Sequence, residues 1–176
     1  MKELRSMYNL SEPKPASEYE IKLLKLIASY QFSPEVSDCL FPPHEKFFIQ
    51  YSTTTGKIRN VLDSNLKLFL VLRAQDYLFS LTENSGLKIK NCSVKPRFRF
   101  VVRNDISQFI KEGRNVFCKF VVDADPNIRA GDYILVVNEN DELLAVGRAK
   151  VSGEEVKQYK RGIAVVVKRV VKDEQH

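Results

Sequence analysis

The chain has no tryptophan, two histidines and three cysteines among its 176 residues. His44 follows Pro42 and Pro43 in a loop-like stretch and His176 is the last residue, which leaves little material for imidazole base chemistry. Cys39, Cys92 and Cys118 form an odd, scattered set with no C-x-x-C pair, favouring a reducing compartment over a disulfide framework. With so few soft donors, a four-ligand zinc site lacks its ligands. No apolar run approaches the roughly 18 residues of a membrane span. Met1 to Tyr8 lack the apolar core of a secretory signal, so a cytoplasmic chain without membrane contact is expected. Also missing are the G-x-x-x-x-G-K-[ST] phosphate loop, G-x-G-x-x-G, H-E-x-x-H and the G-x-S-x-G nucleophile elbow. No catalytic residue, metal ligand or cofactor is assigned.

What is present is ordinary in amount and uneven in placement. Hydrophobic residues at 44% and charged residues at 28% describe a globular chain, long enough for one ordinary domain or two small ones. The net charge is +6. Residues 86–119 hold nine bases against two acids, residues 120–155 three against eight, and residues 156–172 six against none. If folding joins the two basic blocks they make a patch for a polyanion. Taken singly, each block reads equally as a solvated face.

Residues 1–16, with Pro13 and Pro15, show no period and are expected to be a flexible lead-in. Ser17 and Glu20 are spaced as a capping box for a helix whose apolar residues, Ile21, Leu24, Ala28 and Leu23, Ile27, Tyr30, form one broad face. Strands are predicted over 47–51, 57–62, 68–72 and 77–81, with turns at Thr54-Thr55-Gly56, Asp63-Ser64-Asn65 and Gln75-Asp76. A short helix follows over 83–90, with Gly86 as its weak point. A boundary near Pro96 gives domains 17–96 and 97–176. Beyond it, strands are predicted over 97–102, 115–122, 132–137, 142–151 and 163–170. Asn104 or Asp105 is expected to cap a helix ended by Gly113, and Ser152 with Glu155 to box a second ending near Gly162. The class is α+β: a small antiparallel sheet with a covering helix, then a compact β-barrel with short helices.

Among polar candidates, Asp123 and Asp125 are suited to a cation or hydroxyl but more simply serve the turn at Pro126 and Asn127. Cys118 alternates with Val116 and Phe120, which makes it a small buried hydrophobe. Cys92, beside Lys90 and Lys95, has no histidine near it to make it a nucleophile. Gly131 and Gly147 each precede a charged residue at a strand, where a bulge, a barrel corner or a close backbone approach is equally served.

The run from Lys111 through Phe117, Arg129-Ala130-Gly131-Asp132 and Gly147-Arg148 to Ala149, continued by Gly162-Ile163-Ala164-Val165 to Arg169, resembles a PUA domain, the small RNA-binding barrel. Upstream, Tyr30-Gln31-Phe32, Leu40-Phe41, Thr55-Gly56-Lys57-Ile58-Arg59-Asn60-Val61 and the run from Leu72 to Leu81 resemble the region before the PUA domain in archaeal archaeosine tRNA-guanine transglycosylases. That family usually has glycine where Ser33 and Tyr77 stand and arginine at Lys57. Its large catalytic barrel, with an aspartate nucleophile and a zinc site, has no counterpart in this sequence.

The resemblance implies a non-catalytic, tRNA-binding accessory subunit of a split transglycosylase. Its PUA barrel would grip the acceptor stem and 3′ end, its upstream domain would keep the D-arm open, and a separate catalytic subunit would exchange the base. The implied partners are tRNA and that subunit, with homodimerisation left open. Carried over as RNA contacts are Lys111, Arg114 and Lys119, Arg148 after Gly147, and Lys160, Arg161, Lys168 and Arg169. Lys57 and Arg59 serve equally as RNA contacts or exposed strand residues. Arg129 is left to pair with Asp132 or Asp125. The alternatives are a stand-alone PUA protein serving another RNA-modification enzyme or ribosome assembly, and a protein-interaction scaffold.

Overall fold

A computed structural model describes residues 9–173. The chain divides into two compact units after Ser85. The first eight residues of the expected lead-in, and His176, lie outside the described part. From Asn9 onward the lead-in is held in place: Leu10 bridges Ser52, and β1 (Lys14–Pro15) pairs with β2 (Phe48–Tyr51). Proline has no N–H to give a ladder, so Pro13 and Pro15 suit this outermost position.

In the first unit, α1 (Glu18–Gln31) begins at the predicted capping box. Ser17 Oγ accepts from the Glu20 N–H at 3.2 Å, and a Glu20 carboxylate oxygen accepts from the Ser17 N–H at 3.0 Å. The buried face is narrower than the periodicity suggests. Leu24 and Ala28 are fully buried, whereas Tyr19, Leu26 and Tyr30 are largely exposed. A second helix, α2 (Pro34–Leu40), was not predicted. Ser33 Oγ caps it by accepting from the Val36 N–H at 3.1 Å, with Pro34 in its first turn. Strands β3 (Ile58–Leu62), β4 (Leu68–Leu72) and β5 (Phe79–Leu81) complete an antiparallel meander in the order β1-β2-β3-β4-β5. Phe41, after α2, meets Phe47 edge-on at 5.1 Å, and Phe47 stacks on Phe69 at 5.6 Å. These rings, with Leu24, Leu40, Leu70 and Phe79, form the core under the two helices.

Helix α3 (Glu83–Asn91) leads to β6 (Arg99–Val102). A 3₁₀ turn at Asn104–Ile106 runs into α4 (Ser107–Lys111). Its predicted cap does not form. Asn104 Oδ1 accepts instead from the Glu139 N–H at 2.9 Å, and the Asp105 carboxylate holds Arg103. Gly113 ends the helix as expected, at φ +93°, with its N–H donating to Ile110 O.

The strand predicted over 115–122 is two strands, β7 (Val116–Phe117) and β8 (Val121–Ala124), broken by a 3₁₀ turn at Cys118–Phe120. Then follow β9 (Tyr133–Asn138), β10 (Leu143–Ala149) and β11 (Ile163–Val170). The box expected at Ser152 is absent. The Ser152 carbonyl, not its hydroxyl, receives the following N–H groups, and only a 3₁₀ turn forms at Val156–Gln158.

The sheet order is β7-β11-β10-β9-β6-β8, antiparallel except for β6 with β9. Its two ends, β7 and β8, are joined by three residues, and Val116, Val121 and Ala124 enter one core with Val136, Leu144 and Val165. A sheet whose ends share a core has curled almost into a barrel. The fold is therefore α+β, an antiparallel meander with helices followed by a near-barrel with short helices.

Candidate nucleic-acid interface

The pairing of β7 with β11 joins the two basic segments. Phe117 lies opposite Ile163 and Val116 opposite Val165. The Cys118 N–H donates to Gly162 O at 3.0 Å, so Lys119 and Arg161 sit one residue to either side of that bond. Asn115 Oδ1 accepts from the Val167 N–H at 3.0 Å, and Arg114 and Lys168 flank it in the same way. Arg114, Lys119, Lys160, Arg161, Lys168 and Arg169 are all exposed. Between them lie outward-facing apolar groups, Phe117 at 45% exposure and Ile163 at 37%. Arg114 lies over the Phe109 ring at 5.2 Å and Lys119 over Phe120 at 4.9 Å, so these cations rest on aromatic faces rather than on carboxylates. Cations interleaved with an exposed ring suit a backbone of phosphates whose bases can stack.

Other members of the basic block do different work. Arg99 is fully buried: Nε donates to an Asp141 carboxylate oxygen at 2.9 Å, Nη1 to Arg97 O and Ser93 Oγ, and Nη2 to Lys90 O and Ser93 O. Lys111 ends α4 rather than lying on the first strand after it, and bonds Glu142 at 3.0 Å and Asp173 at 2.8 Å. Its hydrogen bonds to Asp173 and Glu142 push its pKa up, and the bond Glu142 accepts from Lys111 pulls that of Glu142 down. Arg103 pairs with Asp105, and Lys95 donates to Glu139 O. Charge counted along the sequence thus overstates the free charge of residues 86–119.

Gly147 lies where β10 shifts register against β11. A Cβ at this position would stand 2.3 Å from Val166 O, so close backbone approach is its role. Arg148, half-buried, donates from Nε and Nη2 to Gly131 O at 3.1 and 2.9 Å. It borders a cavity of about 370 Å³ with Gly131, Lys150, Val166 and Lys168. In the first unit Arg59 borders another cavity, of about 530 Å³, with Ser52, Thr54, Thr55 and Asn60, while Lys57 lies over the Tyr77 ring at 5.2 Å.

Asp125 serves its turn: its carboxylate accepts from the N–H groups of Asn127 and Phe98. The Arg129 backbone N–H donates to the Asp132 carboxylate at 2.9 Å. Cys118 is a free, buried thiol whose pKa burial pushes up.

Residues 98–171 match the PUA domain, and residues 22–96 match the patch-forming domain C2 of tRNA-guanine transglycosylase. The chain carries a C2 domain of tRNA-guanine transglycosylase followed by a PUA domain. The tRNA-guanine(15) transglycosylase of Thermoplasma volcanium is 40% identical over 149 residues, which cover 85% of this chain and 23% of that protein. Those of Thermococcus kodakarensis and Methanobrevibacter smithii are 39% and 36% identical, over 90% and 94% of this chain and 26% and 25% of theirs. The chain thus spans about a quarter of the length of these relatives, matching their C-terminal region. A hypothetical protein of Pyrococcus horikoshii shares the fold, at a TM-score of 0.72 and 24% identity over 93% of this chain and 96% of its own.

In the C2 domain, Tyr77 adopts φ +59°, a left-handed conformation that explains the glycine usual in the family at this position. The exposed Phe117 and Ile163 of the PUA domain carry the family resemblance in the sequence, but no contact role was assigned to them there. Alternation gave Phe117 a place in a continuous strand, and only its pairing with Ile163 shows which way both face. Arg99 was likewise counted with the surface bases. Its signal was its place in an otherwise apolar strand, Arg99-Phe100-Val101-Val102, buried along its whole length.

Proposed function

We propose that this chain is a tRNA-binding module that holds tRNA while a separate catalytic transglycosylase chain exchanges a guanine of the D-loop. The observation that carries the reading is the succession of C2 and PUA domains, matched together at 36–40% identity to tRNA-guanine(15) transglycosylases. The base exchange itself belongs, in this reading, to the catalytic chain. Arg114, Lys119, Lys160, Arg161, Lys168 and Arg169 supply phosphate contacts, and Phe117 supplies an apolar surface for a base or ribose. Arg148, held by its bonds to Gly131 O, adds a contact at the neighbouring cavity. Lys57 and Arg59 extend the grip to the C2 domain. Lys111, already held by two carboxylates, contributes to stability.

The direct test adds this chain to the catalytic transglycosylase of the same organism and follows exchange of labelled guanine into tRNA. A rise in exchange at limiting tRNA, lost when Lys119 and Arg161 are reversed to glutamate, supports the reading. Exchange unaffected by the added chain contradicts it.

A further inference from the structure

The cavity beside Arg148 lies where β10 and β11 meet the turn before β9. Three cations, Arg148, Lys150 and Lys168, border it with Gly131, Val166 and two alanines, and no carboxylate does. The nearest acid in sequence, Asp132, is turned into its own loop by accepting from the Arg129 N–H. At about 370 Å³ the cavity is at the small end of the roughly 300–1,000 Å³ of ligand sites.

Arg148 is positioned in advance. Its Nε and Nη2 both donate to Gly131 O, while Nη1 has no protein acceptor among the described residues. Gly131 sustains this through φ +96°, with its N–H donating to Ala149 O at 2.7 Å; a side chain at this position would be strained. Lys150 and Lys168 are exposed and keep their hydration until an anion arrives. Three like charges around one concavity repel one another, and a bound anion reverses the sign of that interaction.

We propose that Arg148, Lys150 and Lys168 form a clasp for one phosphate group, taken from the RNA backbone. The clasp rests on the tRNA-binding reading for the source of the phosphate, not for its chemistry. A guanidinium already fixed in direction meets phosphate oxygens with little loss of side-chain freedom, and the two ammonium groups close on it as point charges.

Two measurements on the full chain test this separately. In the first, the Arg148 Nε–H resonance is followed while inorganic phosphate replaces chloride at constant ionic strength. A saturable shift is expected, weakened at least tenfold in the double variant Lys150→Ala, Lys168→Ala; no saturable shift overturns the clasp. In the second, tRNA affinity is measured against salt for wild type and for the triple variant Arg148→Ala, Lys150→Ala, Lys168→Ala. One phosphate held by all three cations predicts that the slope of log affinity against log salt falls by about 0.7–0.9 in the variant. A fall of about twice that means the lysines hold separate phosphates and overturns the clasp. An unchanged slope in the variant, with saturable phosphate binding by the wild type, assigns the site to a free phosphate compound and overturns its RNA role. If tRNA is not bound at all, the tRNA-binding reading fails, and the phosphate titration alone supports or overturns the clasp.

Discussion

At the scale of single residues, Arg99 and Gly147 show how much of the PUA domain is set by contacts that no surface property reports. Arg99 is a charged group with no exposed surface, tolerable only because every face of the guanidinium meets an acceptor. Arg99→Ala leaves Asp141 and three backbone carbonyls without their donor, and is expected to cost about 3–5 kcal/mol. Urea unfolding checks this, and a loss under about 1 kcal/mol would contradict it. Gly147→Ala drives a Cβ toward the Val166 carbonyl, which belongs to a rigid strand. An overpacking cost of about 1–3 kcal/mol is expected, with tRNA affinity reduced as the β10–β11 register adjusts. Sequence reasoning reached Gly147 as a bulge or close-approach position but could not choose between them. The deciding atom, Val166 O, comes from a strand 19 residues further along the chain. Lys111 illustrates the opposite limit: a basic residue beside a basic run looks like a phosphate contact until Glu142 and Asp173 arrive from distant segments.

At the scale of elements, local signals were legible where the residues that make them are close in sequence. The capping box at Ser17, the strands at 68–72 and 163–170 and the helix stop at Gly113 depend on neighbours within a few positions, and they formed. Ser17→Ala is expected to cost about 1 kcal/mol, read as a lower thermal midpoint with an unchanged second unit. The failures share a cause. Asn104 and Ser152 had cap chemistry, but a distant backbone N–H claimed the Asn104 oxygen, and the Ser152 carbonyl took the bonds its hydroxyl was expected to receive. The break at Cys118–Phe120 was invisible because its purpose, passing the chain between the sheet's two ends, is tertiary.

The link between α4 and the start of β10 makes a pH prediction. Glu142 has a depressed pKa through its bond from Lys111, so its stabilisation is complete above the unfolded carboxylate value and is lost as pH falls through the depressed one. Lys111 has a raised pKa, so its contribution is complete below the ordinary lysine value and is lost as pH rises through the raised one. The stability difference between wild type and Glu142→Gln should therefore be largest between these limits and shrink at both ends. A difference constant from acid to alkaline pH would contradict the pair.

At the scale of the whole molecule, the chain's charge becomes useful only after folding selects from it. Of the nine bases in residues 86–119, Arg99 and Lys111 are spent on structure, while Arg114 and Lys119 are carried by β7 pairing to the basic segment around β11. The family likeness was legible because its motifs are contiguous; the grouping of cations around Phe117 was not, because it depends on one strand pair.

The most direct test of the account is a filter-binding titration of the full chain with tRNA at two salt concentrations, for wild type and for Arg114→Glu with Lys119→Glu. The account predicts binding that weakens steeply with salt and falls at least tenfold in the variant, whose unfolding midpoint is unchanged. Equal affinity in both proteins, or no tRNA binding at the lower salt, would contradict it.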